Sequence, residues 1–90
     1  MNKSELIEAV AGSTGLSRVA AGKAVEAVIT AITAALEGGD QVSLTGFGSF
    51  SVRQRAGYFG QDPRTGMVID IKELKIPTFR PGKALRDAVK

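Results

Sequence analysis

The apolar residues of this chain change their spacing once, at Gly38-Gly39, and that change limits what the chain can fold into. Before it, Ala21, Ala24, Val25, Val28, Ile29, Ile32, Ala35 and Leu36 recur at helical intervals. After it, Val42 and Leu44 alternate with Ser43 and Thr45. Further on, Phe50, Val52, Gln54 and Ala56 alternate with Ser49, Ser51, Arg53 and Arg55. Helices followed by strands, with no regular interleaving, predict an α+β fold.

Local signals divide the helical part. Asn2 with Glu5 three residues on reads as an N-cap with a reciprocal carboxylate, and Leu6, Ile7, Val10 and Ala11 follow at helical spacing. Gly12-Ser13-Thr14-Gly15 ends this helix, Leu16 packs the corner, and Ser17 caps a second helix. Gly38-Gly39 ends the second one. The alanine-rich stripe of the second helix lets another helix approach closely. A third strand resumes at Val68–Ile71 and runs irregularly to Phe79, with Pro77 restricting it to an edge or a bulge. A short helix begins near Gly82-Lys83, with Leu85 and Val89 expected inward. The expected order is two N-terminal helices, a three-stranded antiparallel sheet with an extended arm, and a short C-terminal helix. The chain reads as a single domain: residues 1–40 form a helical body, 41–90 a sheet region, about 55–72 the arm and 83–90 the last helix.

The arm is built around the segment Arg55–Gly66, between the runs Ser49–Arg55 and Val68–Ile71. Asp62-Pro63-Arg64-Thr65-Gly66 makes a tight reversal, with Pro63 at the second turn position. The expectation is one long two-stranded ribbon with an apolar tip and an arginine-bearing base. Such a ribbon is too thin to bury a core of its own, so its use is to grip a partner.

Charge indicates which partner. Residues 1–45 carry three Lys and Arg against five acids, a net of −2. Residues 46–90 carry nine against four, a net of +5. Strand parity gathers Arg53 and Arg55 on one face, Thr78 and Arg80 share parity, and Lys83 and Arg86 follow on the adjoining helix. Lys75 has the parity of Phe79 and ranks below them. Several cations on one surface are what phosphate backbones require. The bland alternative is a solvated surface partly paired with Asp87 or Glu73. Pro63 likewise has two readings: a turn device, or a wedge entering a base step.

Ninety residues leave little room for a private core. Phe47, Phe50 and Phe79 sit in or beside strands with only two substantial helices to cover them. They are candidate dimer-interface residues together with Val28, Ile32 and Leu44; an ordinary single-chain core is the competing reading. The chain has no Cys and no His. That removes disulfides, thiolate metal sites and the commonest general base. No nucleophile–base pair, metal cluster or cofactor loop is visible, and Gly46-Phe47-Gly48 lacks the third glycine and following helix of a phosphate loop. The expectation is a non-enzyme without cofactor or metal. No signal peptide and no apolar run of membrane-spanning length are read, so no membrane partner is expected and the protein is placed in the cytoplasm.

In order and spacing, these segments resemble the bacterial histone-like HU family, close relatives of integration host factor. Asn2-Lys3 with Leu6-Ile7 is similar to the family's opening. Gly46-Phe47-Gly48-Ser49-Phe50, with Val52 and Arg53 after it, is the strongest likeness. Pro63 with Thr65-Gly66 resembles the arm tip, and Pro77-Thr78-Phe79-Arg80-Pro81-Gly82-Lys83 the C-terminal motif. HU proteins are a standing example of architectural minor-groove binders that wedge apolar groups between base steps. The resemblance thus implies an intertwined homodimer, or a heterodimer with a paralogue, that binds double-stranded DNA without sequence specificity, bends and compacts it in the nucleoid, and can prefer nicked, kinked or bent forms. It implies a helical body, a sheet saddle, and two arms that place Pro63 as the intercalating residue. It carries Arg53, Arg55, Pro63, Arg80, Lys83 and Arg86 over as DNA-contacting positions; Tyr58, Gln61, Arg64 and Lys75 complete the candidate set. Lys3 matches a basic position away from the arm. Tyr58 and Gln61 stand where arginine is usual, and Asp62 where Asn is usual, which implies a weaker arm or one that meets protein. A sequence-preferring bender like integration host factor and a dimeric protein-interaction module are the alternatives. The end at Lys90 favours the HU branch, although Phe79-Arg80-Pro81-Gly82 is shared with the other.

Overall fold

The computed structural model describes residues 1–90. The elements run α1 (Lys3–Thr14), α2 (Arg18–Glu37), β1 (Val42–Leu44), β2 (Gly48–Arg55), β3 (Tyr58–Gln61), β4 (Val68–Ile71), β5 (Leu74–Pro81) and α3 (Lys83–Ala88). The α+β class is as expected. The chain divides into two compact units, Met1–Ala34 and Ala35–Lys90.

In the first unit the caps act as their residue types dictate. Asn2 Oδ1 accepts from the Glu5 N–H at 2.9 Å, and Ser17 Oγ accepts from Ala20 N–H at 3.1 Å. Gly15, at φ 73°, closes α1 by donating to Ala11 O. Lys3 pairs with Glu26, and Arg18 lies 3.8 Å from Glu8 and 3.1 Å from Ser4 Oγ. Ala21 and Val25 are the only buried apolar residues in the chain. Two apolar grooves remain open on the helices. One is lined by Ile7, Val19, Gly22, Ala27, Ala31 and Ala34, the other by Leu6, Val10, Ala24, Val25, Val28 and Ile29. Contrary to the sequence expectation, α2, 20 residues long, is long and apolar enough by length and composition to cross a membrane. Its apolar stripe is so wide, and so rich in alanine, that the charges Lys23 and Glu26 barely interrupt it.

In the second unit α2 ends in paired reverse bonds, Gly39 N–H to Leu36 O at 3.0 Å and Asp40 N–H to Ala35 O at 2.9 Å. β1, β2 and β5 form an antiparallel sheet in the order β1-β2-β5, which puts Pro77 on an edge strand. The expected continuous ribbon is corrected. Ser49–Arg55 and Val68–Ile71 are not partners; β2 pairs with β1 and β5, and β4 pairs with β3. The arm is therefore a separate two-stranded sheet. It is joined to the main sheet through Ala56-Gly57 on one side and Lys72-Glu73 on the other, where the pairing lapses. A β-carbon at Gly57 would stand 3.0 Å from Ile71 O, so the two chain segments cross closely at this joint. α3 stops at Ala88, and Val89 is 77% exposed rather than inward.

The turn before β2 and the start of α3 are one construction. Phe47 O accepts from Gly82 N–H at 2.7 Å, and Gly46 O accepts from Leu85 N–H at 3.2 Å. The turn thus supplies a carbonyl to an otherwise orphaned amide in the first turn of α3. A β-carbon on Gly82 would stand 2.6 Å from Gly46 O, which reserves that position for glycine.

Candidate nucleic-acid interface

Directly opposed residues in an antiparallel pair project from the same face of a sheet. β2 and β5 oppose Ser49 to Arg80, Ser51 to Thr78, Arg53 to Ile76 and Arg55 to Leu74. Arg53, Arg55, Thr78 and Arg80 therefore share one face, as the sequence parity predicts. Arg53 and Arg80 line one depression with Ser51 and Thr78. The other face carries Phe50 opposite Phe79, Val52 opposite Pro77, and Gln54 opposite Lys75. Lys75 is thus separated from the arginine face and lies in a pocket with Leu36, Glu37, Val52 and Pro77. Its low rank in the sequence reading has this physical basis.

The hydroxyls on the arginine face escaped the sequence reading as site groups. Ser51 Oγ and Thr78 Oγ1 lie 3.1 Å apart, and either can donate. With Ser49 beside Arg80 they make a polar row between the cations. Hydroxyls beside arginines are ordinary phosphate ligands. The signal for them was available, since Ser49 and Ser51 have the parity of Arg53.

On α3, Asp87 Oδ2 is 3.3 Å from Lys83 Nζ and Asp87 Oδ1 is 3.7 Å from Lys90 Nζ. One carboxylate thus serves two lysines, and both pairs are exposed. Such pairs are worth about 0–1 kcal/mol and are readily exchanged for another anion. Arg86 follows Lys83 by one turn.

The arm brings Tyr58, Gln61, Pro63 and Arg64 onto one element. The Arg55 guanidinium carbon lies 5.8 Å from the centre of the Tyr58 ring, a cation–π contact across the joint. Arg55 Nη2 also reaches Lys72 O at 3.5 Å, so this arginine braces the base of the arm. Phe59, 77% exposed, and Val68, 72% exposed, share one face of the arm with Gln61 and Asp70. Lys72 is drawn to Asp70 at 2.5 Å. Pro63 stands exposed at the tip. Asp62 is the one half-buried residue between Gln61 and Asp70. Its carboxylate turns back onto the tip, accepting from Arg64 N–H at 2.8 Å.

The aromatic residues behind the face form a row. Phe50 and Phe79 have ring centres 4.8 Å apart, and Phe47 and Phe79 have theirs 5.5 Å apart, both tilted. Phe47 stays 48% exposed and Phe79 40%. Of the six candidate dimer-interface residues, Val28 and Leu44 are also exposed and Ile32 and Phe50 are half-buried. None of the six is buried within one chain.

A family profile described as "Bacterial DNA-binding protein" matches residues 1–90. The chain is 57% identical to DNA-binding protein HU of Geobacillus stearothermophilus over 90 residues, covering all of both chains. It is 51% identical to DNA-binding protein HU-beta of Salmonella typhimurium over 89 residues, 99% of each. Among solved structures it superposes on the HU of an Anabaena HU–DNA cocrystal with a TM-score of 0.86, at 37% identity, over 99% of this chain and 97% of that one. With a match along its whole length and a fold to agree with it, the chain belongs to the bacterial DNA-binding protein family that contains HU.

Proposed function

We propose that this protein is an architectural DNA-binding protein, working as a dimer that grips the minor groove and bends the duplex with little sequence preference. One observation carries the reading. A single sheet face collects Arg53, Arg55, Thr78 and Arg80, and the strands that bear them lead into a separate arm tipped by Pro63. The Anabaena HU with the same fold is seen in a cocrystal with DNA.

The division of labour follows from the chemistry. Arg53, Arg55 and Arg80, with Lys83 and Arg86, neutralise phosphates and release condensed counterions. Ser51 and Thr78 add neutral hydrogen bonds between the cations. Tyr58, Gln61 and Arg64 line the arm along the groove, and Pro63 enters a base step. Minor-groove binders of this kind offset the cost of unstacking a base step with the extra contacts that bent DNA allows. Lys75, on the opposite face, contributes least.

The packing of one chain supports a dimer. A chain whose only buried apolar side chains are Ala21 and Val25 has a very small core of its own. A second copy covering the open α2 grooves and the Phe47–Phe79–Phe50 row would supply one. No chemistry on a substrate is ascribed to the protein. Its place is with the chromosomal DNA in the bacterial cytoplasm.

The test is titration of a short plain duplex and a nicked duplex of the same sequence, with bend measured by end-to-end energy transfer. Tight binding, increased bending on the nicked duplex, and loss of the bend in Pro63→Ala are expected. Binding without any bend in the wild-type protein would contradict the proposal.

A further inference from the structure

The arm tip is tied together far more heavily than a hairpin turn needs. Across Asp62–Met67, Asp62 N–H donates to Met67 O at 2.8 Å, and Gly66 N–H donates to Asp62 O at 2.7 Å. Side chains add three more bonds. Asp62 Oδ1 accepts from Arg64 N–H at 2.8 Å, Gln61 Nε2 donates to Gly66 O at 2.9 Å, and Thr65 Oγ1 accepts from Met67 N–H at 3.3 Å. The Arg64 guanidinium Nε lies 4.0 Å from the same Asp62 oxygen. These bonds enclose Pro63, which has no N–H and a fixed φ. Pro63 and the residues after it through Met67 are exposed, and Asp62 alone at the tip is half-buried, so these bonds are what hold the tip in shape.

From this geometry we infer that Gln61 and Asp62 are positioning residues: they preorganise the tip so that Pro63 meets the base step already in its wedging conformation. The inference rests on the DNA-bending reading above. It also assigns Asp62 a different effect from the one its charge suggests. A bare carboxylate beside the wedge repels phosphates, whereas this one faces inward and spends its acceptor on Arg64 N–H. Gln61 is likewise turned toward Gly66 through its amide nitrogen. Ordering a loose tip during binding lowers affinity, and a tip ordered beforehand avoids that loss.

Asp62→Asn and Asp62→Ala separate the two effects. Both remove the charge, but only Asn retains an oxygen able to accept from Arg64 N–H. Both variants are compared on a short duplex with a central bulge, with affinity, bend and amide exchange at Arg64 measured. The Ala variant is expected to bind about 3- to 10-fold more weakly than the Asn variant, the effect of losing one turn-capping bond and freeing a short loop. It should also bend the duplex less and exchange the Arg64 amide faster. In a Pro63→Ala background the difference between Asn and Ala in bending should vanish, because no wedge remains to be positioned. Equal binding and bending by the Asn and Ala variants, with normal wild-type behaviour, would overturn the inference alone. Failure of the wild-type protein to bind or bend the duplex would overturn the DNA-bending reading, and the inference with it.

Discussion

Gly48 lies directly against the ring of Phe79: a β-carbon built on it would stand 2.6 Å from two ring atoms and 2.6 Å from Arg80 O. Its φ of 156° is also one that side chains rarely adopt. The glycine therefore sets how closely β2 and β5 pack at the end that carries Arg80. Gly48→Ala must displace either a ring or backbone. A loss of about 1–3 kcal/mol is expected, the usual range for overpacking. Thermal unfolding at fixed protein concentration checks it, with a fall of about 4–8 °C per kcal/mol for a domain of this size.

The open apolar groove of α2 gives a second expectation. Val28 is 56% exposed in one chain although it stands in the apolar groove of α2. If a second copy covers that groove, the unfolding midpoint should rise with protein concentration by mass action. Val28→Asp should abolish both the dimer in sedimentation and the cooperative transition. A midpoint independent of concentration would show that one chain folds alone.

Sheet parity makes a third. Arg80 projects from the arginine face and Lys75 from the opposite one, although both lie on β5. Arg80→Ala should lower affinity for duplex and reduce the slope of log K against log salt by about two, one contact from each protomer of the dimer. Lys75→Ala removes the same charge but should leave the slope nearly unchanged. Equal effects would mean that total charge, not the face, decides binding.

Where side-chain geometry is fixed by a short period, the sequence was informative. Asn2 and Ser17 cap because their oxygens reach amides three residues on, and Arg53, Arg55, Thr78 and Arg80 share a face because strand side chains alternate. The features that escaped depend on groups distant along the chain. The break at Ala56-Gly57 arises where the chain crosses Lys72-Glu73, so alternation read one ribbon through it. Gly46 and Gly82 look like two separate turn glycines until a carbonyl of one turn caps the first turn of α3. Asp62 reads as a charge opposed to DNA because its inward rotation depends on the folded tip and the Arg64 amide. Val89 has helical spacing from Leu85 but lies past the end of α3, where no element covers it.

The most direct measurement is the salt dependence of binding to a short plain duplex. Arg53, Arg55 and Arg80 on one sheet face, with Lys83 and Arg86 on α3, each displacing counterions from a phosphate, should make log K fall linearly and steeply with log salt. The expected slope corresponds to about four or more phosphate contacts per dimer, given about 0.9 per contact. Binding that is weak and nearly flat across the same salt range would contradict the central claim that the sheet face and arm clamp the DNA backbone.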